Sequence, residues 1–114
     1  MPYLKIQTNQ HIEAEESQNL LKSLSQGVAD ILGKSENYVM IALESGKPMF
    51  FAGNDAPLAY VELKSLGLPE SDTAQLSQRL CQLIESQTKI SKERIYIEFA
   101  SPDRHMWGWN GRTF

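Results

Sequence analysis

One cysteine, Cys81, occurs among the 114 residues. A lone thiol cannot close an internal disulfide or supply a cysteine-rich zinc site, so neither a crosslink nor a thiolate cluster stabilises this core. Its place on an apolar helical face predicts a packed thiol. Histidine is scarce as well: His11 and His105 stand singly in polar surroundings and read as surface residues. A phosphate-binding glycine loop, a Ser-His-Asp elbow and a paired-histidine motif are all missing, and no metal or cofactor is expected. The 11 basic residues are scattered and outnumbered by 14 acidic ones, for a net charge of -3. That distribution lacks the electrostatic footprint of a phosphate-tracking protein, which excludes nucleic acid as the expected partner. Lys5, Gln7, Asn9 and Gln10 interrupt any apolar run near the N-terminus, so no secretory segment is expected and the cytoplasm is the default location. Seven glycines and five prolines fit neither a disordered nor a collagenous chain, and the composition is not that of a membrane span. What remains is one soluble globular domain over residues 1–114.

Period-two alternation of Leu4, Ile6 and Thr8 with Tyr3, Lys5 and Gln7 predicts a strand over 2–8, with Pro2 at a first position that needs no ladder donor. From Glu13 onward, Leu20, Leu24, Val28 and Leu32, joined by Leu21 and Ile31, recur at helical spacing. Glu13, Glu15 and Glu16 sit at the dipole-positive start, and Gly33 is placed to cap the end. The unalternating run Tyr38–Leu43, bounded by Ser45-Gly46-Lys47-Pro48, predicts a strand buried on both faces. Ala59, Val61 and Leu63 then alternate, Leu66-Gly67-Leu68-Pro69 turns, and Ser71 or Asp72 is positioned to cap a helix bearing Leu76, Leu80, Leu83 and Ile84. Ile95–Phe99 reads as the last strand.

A shift of 56 positions lays Leu20 on Leu76, Leu24 on Leu80, Val28 on Ile84, Val39 on Ile95 and Ile41 on Ile97. Two copies of one strand-helix-strand unit are therefore expected, related by a pseudo-twofold axis. Right-handed crossovers give each unit a parallel strand pair under its own helix. The predicted class is α/β (α+β): a four-stranded mixed sheet with two helices on one face. The opposite face, carrying Met40, Ala42, Tyr60 and their neighbours, is expected to be a broad apolar surface that an oligomer covers sheet to sheet. The tail Met106–Phe114, with three large aromatics, is expected to dock, on a neighbouring subunit.

With side-chain motifs missing, the terminus itself is the candidate reactive group. Removal of Met1 before a small second residue leaves Pro2 as a secondary amine, a nucleophile or base. An α-amino group ordinarily titrates near about pH 8. Burial beside another cation disfavours its protonated form and brings the free base toward neutral pH, the useful condition for proton transfer. Without such a pocket, Pro2 simply begins a strand.

Pro2 after Met1, Ile31-Leu32-Gly33-Lys34 ahead of Tyr38-Val39, Ser65-Leu66-Gly67, Ile90-Ser91, Arg94-Ile95-Tyr96-Ile97, and Gly108-Trp109-Asn110 with Thr113-Phe114 occur in order across the chain. Together they resemble the macrophage migration inhibitory factor family of the tautomerase superfamily. The resemblance implies a homotrimer with active sites between adjacent subunits and cofactor-free isomerase activity. Its substrates would be phenylpyruvate-like 2-oxo acids and dopachrome derivatives. Carried over residue by residue, it makes Pro2 the base that moves a proton between the enol oxygen and the β-carbon. Lys34 would hold the substrate carboxylate or oxo group, while also complementing the helix dipole. Ser65 and Leu66 match loop residues beside the proline. Tyr38, Tyr96, Trp109 and Phe114 match the aromatic lining, the last three expected from a neighbouring subunit or as interface core.

Departures from the family pattern alter those expectations. Glu98 stands where an Asn is usual, and its carboxylate is expected to repel that of a 2-oxo acid. Trp107 replaces a small aliphatic and is expected to narrow the pocket mouth. Leu58 and Val61 occupy the positions of a Cys-x-x-Cys pair, so thiol–disulfide exchange is not expected. The alternative implied by the resemblance is a cytokine-like receptor-binding protein with weak or vestigial tautomerase activity, released without a signal peptide; its receptor is unknown from these residues. Hydration or decarboxylation of unsaturated acids would call for arginines beside the proline, and Arg79, Arg94, Arg104 and Arg112 match no such position.

Overall fold

The computed structural model describes residues 1–114. The alternating first segment forms β1 (Tyr3–Thr8), with Leu4, Ile6 and Thr8 turned inward. It is followed by α1 (Ala14–Leu32), β2 (Met40–Glu44), β3 (Ala59–Lys64), α2 (Thr73–Gln87), β4 (Ile95–Ala100) and two short tail strands, β5 (Gly108–Trp109) and β6 (Arg112–Thr113). The main sheet runs β2-β1-β3-β4, with β1/β2 and β3/β4 parallel and β1/β3 antiparallel. This is the mixed sheet of two strand-helix-strand units. No helix is long and apolar enough to cross a membrane.

The core lies between the sheet and the two helices. Leu4, Ile6, Val61 and Leu63 meet Leu20, Leu24 and Val28 from α1 and Leu80 and Ile84 from α2. The helices approach closely at Gly27, where a Cβ would stand 2.6 Å from Leu83 Cδ2. Thr8 is buried yet satisfied, its hydroxyl donating to Leu58 O at 2.7 Å and accepting from the Gln10 amide. Gly33 ends α1 in the left-handed conformation, φ 63°, as its lack of a Cβ permits. Cys81 is half-buried, and burial pushes its thiol up, consistent with a packed thiol.

Several expectations need correction. The duplication holds for the helices and second strands, but Tyr3 lies opposite Met40 whereas Tyr60 lies opposite Tyr96. The first strands therefore correspond one residue further along. Neither Ser71 nor Asp72 caps α2 through its side chain; the Ser71 hydroxyl turns to Asp72, and Thr73 bonds back to Glu70 O. The run from Tyr38 does not form a doubly buried strand. Tyr38 closes a 3-10 turn capped by Ser35, β2 begins at Met40, and β2 is an edge strand on which Met40 is 66% exposed. An apolar run identifies a strand but not its place in the sheet.

The outer sheet face is not broadly apolar either. Its rows read Met40-Tyr3-Lys64-Ala100, Ala42-Lys5-Glu62-Glu98 and Glu44-Gln7-Tyr60-Tyr96 across the four strands. Lys5 and Lys47 each lie 3.1 Å from the Glu44 carboxylate, which also accepts from Gln7 at 2.8 Å. These bonds hold Glu44 at about 2. Charged or polar residues stand in all three rows among the aromatic and aliphatic ones, so the face is mixed rather than broadly apolar.

Candidate active site

Pro2 leads into β1 with its ring buried, and its carbonyl accepts from the Met40 amide at 3.0 Å, which docks the terminus on the start of β2. The terminal amine of Met1 donates to Tyr38 O at 2.7 Å. Burial, and secondarily the charge of Lys34, lower the pKa of that amine. Pro2, the next residue in, is itself buried at this end of the chain, and burial disfavours a protonated amine.

A cavity of about 790 Å³ opens at Pro2. Its walls include Tyr3, Tyr38, Met40 and Lys64 from the body of the fold and Trp107, Trp109 and Phe114 from the tail. Asn110 and Gly111 both have positive φ, 53° and 76°, and form the two-residue connection between β5 and β6. Asn-Gly is the residue pair that such a reversal favours, because both central positions need left-handed backbone. The reversal folds the tail so that Trp109 stacks on Phe114 at 5.8 Å between ring centres and meets Tyr38 edge-on at 5.7 Å. The Arg112 guanidinium lies over Trp109 at 5.4 Å.

The tail therefore docks on its own chain. Trp109 and Phe114 were expected from a neighbouring subunit; they line the same chain's Pro2 cavity. The tight Asn110-Gly111 turn brings Phe114 back beside Trp109, so both rings reach the cavity from one hairpin. Asn-Gly between Trp109 and Arg112 is also the sequence signal that finds this hairpin. Trp107 does lie on the cavity wall, as expected.

Lys34, Ser65 and Leu66 are held together on the helix side of the sheet, where they line a smaller recess of about 130 Å³ rather than the Pro2 cavity. Lys34 Nζ reaches Leu66 O at 3.5 Å. Ser65 is buried, its amide donating to Ala100 O at 3.0 Å. Of these three, Lys34 acts on the terminus, through its charge.

Tyr96 and Glu98 lie away from the cavity within one chain. Tyr96 is 63% exposed on β4 and meets Phe51 edge-on at 4.8 Å. Glu98 accepts from the Tyr60 hydroxyl at 2.9 Å, and this bond raises the Tyr60 pKa. Neither residue lines the Pro2 cavity of its own chain. Sequence reasoning missed Tyr3, Met40 and Lys64 as wall residues; Tyr3 was findable as the residue after Pro2, whereas only strand register sets Met40 and Lys64 beside it.

The family model described as macrophage migration inhibitory factor (MIF) matches residues 1–114. A macrophage migration inhibitory factor homolog of Brugia malayi is 38% identical over 116 aligned residues, covering all of this chain and 99% of its own. That of Wuchereria bancrofti is 35% identical with the same coverage. Among solved structures, the macrophage migration inhibitory factor homologue from Prochlorococcus marinus superposes with a TM-score of 0.89 at 43% identity, over 98% of both chains. The corresponding Trichinella spiralis protein superposes with a TM-score of 0.89 at 31% identity, over 98% of this chain and 99% of its own.

Proposed function

The chain belongs to the macrophage migration inhibitory factor family, and from that premise we propose that it is a cofactor-free keto–enol tautomerase acting through the amine of Pro2 after removal of Met1. The observation that carries this reading is the buried Pro2 at a chain terminus beside an aromatic cavity, where burial and Lys34 lower the pKa of the Met1 amine that precedes it. A secondary amine held there is free to take a proton near neutral pH.

In the forward direction, Pro2 nitrogen accepts the proton of the enol hydroxyl as the C2=O bond forms. It then delivers a proton to C3 as the C2=C3 electron pair becomes the new C3–H bond. Lys34, which lines the neighbouring recess, acts on this site through its charge, which favours the unprotonated amine and an anionic substrate beside it. Tyr38, Trp109 and Phe114 supply the apolar wall for the aromatic ring of a phenylpyruvate-like 2-oxo acid. Tyr96 and Glu98 belong to this site only across a subunit boundary, so the proposal includes a homotrimer in which β4 of one copy faces the Pro2 cavity of the next. The exposed edges β2 and β4 and the exposed Tyr96 support that assembly.

The test is the ketonisation rate of enol-phenylpyruvate, with intact mass establishing that Met1 is gone. Pro2→Gly and a variant with an uncleaved N-terminal extension are expected to lose roughly 100-fold or more, the usual contribution of a positioned base. Undiminished turnover in either variant, or none from processed wild-type protein, overturns the reading.

A further inference from the structure

Asn110-Gly111 is the one place in the chain where an asparagine precedes a glycine; Asn9, Asn19, Asn37 and Asn54 are followed by bulkier residues. A glycine leaves its own amide nitrogen unshielded, so this pair is the one most open to attack of that nitrogen on the asparagine side chain. Asn110 and Gly111 are both exposed, and a Cβ added to Gly111 would meet nothing within 4 Å. The carboxamides of Asn9 and Asn54 are tied to backbone groups between residues 55 and 58, whereas that of Asn110 is free.

The closed turn nevertheless holds the reacting atoms apart. With Asn110 at φ 53° in the left-handed conformation, the Gly111 nitrogen stands on the opposite side of the Cα–C bond from the Asn110 side chain. Ring closure requires ψ of Asn110 to swing round. The pairing of Gly108 with Thr113 and of Trp109 with Arg112 forbids that swing while the hairpin is shut. What keeps it shut is the wall of the Pro2 cavity: Trp109 stacks on Phe114 at 5.8 Å, meets Tyr38 at 5.7 Å and carries Arg112 at 5.4 Å. The contacts that build the wall therefore control access to the reaction.

We propose that Asn110 is a deamidation site gated by the aromatic wall of the Pro2 cavity, and that its isoaspartate product holds that wall open. When the hairpin opens, the Gly111 nitrogen gives its proton to water or hydroxide and attacks Asn110 Cγ. The N–Cγ bond forms, the Cγ–Nδ2 bond breaks, and the side-chain nitrogen leaves as ammonia. Water then opens the cyclic imide, so that the net reaction consumes one water and releases one ammonia. Addition at Cγ gives aspartate, and addition at the main-chain carbonyl gives isoaspartate, in which the chain runs through Cβ and Cγ. Isoaspartate lengthens the backbone of a two-residue turn, so the register of the tail strands is lost and with it the Trp109–Phe114 stack. Aspartate keeps the backbone and accepts the left-handed conformation much as asparagine does.

The experiment incubates the full chain at mildly alkaline pH and follows the tryptic peptide that carries Asn110 by mass spectrometry, with isoaspartyl methyltransferase labelling to separate the two products. Each rate is divided by that of the same chain in urea, which removes the intrinsic chemistry of each sequence. Asn110 is expected to be modified ahead of the other asparagines. Trp109→Ala is expected to raise the normalised rate about thirtyfold and Arg112→Met about threefold, the share of an exposed cation–π contact. Arg112→Met leaves every ring contact in place and decides the gate should Trp109→Ala not fold. The Phe114 amide, which donates to Trp107 O, is expected to exchange faster in isoaspartate-rich protein and to stay protected in Asn110→Asp. None of these readouts needs catalytic activity. Equal normalised rates in wild type and variants, no modification of Asn110 in native Trp109→Ala, or Phe114 protected as before in isoaspartate-rich protein overturns the proposal.

Discussion

Replacing Trp109 by alanine tests whether the cavity wall is held by its own chain. The indole makes two ring contacts, stacked on Phe114 at 5.8 Å and edge-on to Tyr38 at 5.7 Å, and carries Arg112 over its face at 5.4 Å. Such ring pairs contribute about 0.5–1.5 kcal/mol each, and an exposed cation–π contact about 0.5–1 kcal/mol. Because Trp109 remains 44% exposed, the lower half of that range applies, and the loss comes to about 2 kcal/mol. That is roughly thirtyfold in the opening equilibrium of the hairpin. The Phe114 amide, which donates to Trp107 O at 3.2 Å, reports that opening directly. In Trp109→Ala its hydrogen exchange is expected to speed about thirtyfold, and KM for an aromatic 2-oxo acid is expected to rise. The main melting transition is expected to stay nearly in place, since no tail residue belongs to the buried core. Trp109→Phe keeps a stacked ring and is expected to recover most of the protection. Unchanged exchange at Phe114, or collapse of the whole fold, would refute the reasoning.

Lys34→Met removes a cation that disfavours the protonated terminus, so the amine pKa is expected to rise and the ascending limb of the kcat/KM–pH profile to move to higher pH. A limb that stays in place would show that Lys34 does not act on the base. Glu44 is held at about 2, down from 4.5, by Gln7 first and then by Lys5 and Lys47. A depressed carboxylate contributes stability fully above its unfolded pKa and loses it as pH falls toward the folded value. Thermal melts are therefore expected to show wild type and Glu44→Gln converging between about pH 4.5 and 2, more weakly at high salt. A gap between them that persists unchanged to pH 2 would contradict this assignment.

The elements were readable because their causes are local. Leu4, Ile6 and Thr8 alternate, Leu20, Leu24 and Val28 repeat at helical spacing, and Gly33 ends α1 in the left-handed conformation that its position required. The place of Pro2 was readable for the same reason: it is a residue that can lead into a strand, and the structure sets it at the start of β1 on the cavity wall. The outer face was misread because its polarity lies in pairings between strands. Glu44 is neutralised by Lys5 only once β1 and β2 are set in register. Glu98 illustrates the other limit: its carboxylate was legible, but only the fold shows that it is held by the Tyr60 hydroxyl and does not line the Pro2 cavity of its own chain.

The sequence by itself determined two strand-helix-strand units and one core, because periodicity and chain reversal act over a few neighbouring residues, and it pointed to Pro2 as the group on which the proposed chemistry rests. Tertiary structure alone decided that β2 is an edge strand, that Lys34 lines a recess apart from the Pro2 cavity, and that Trp109 closes its own cavity. Each of those facts depends on strand order, register and hairpin direction. They are fixed by contacts between segments far apart in the chain, where no local pattern records which segment will be the neighbour.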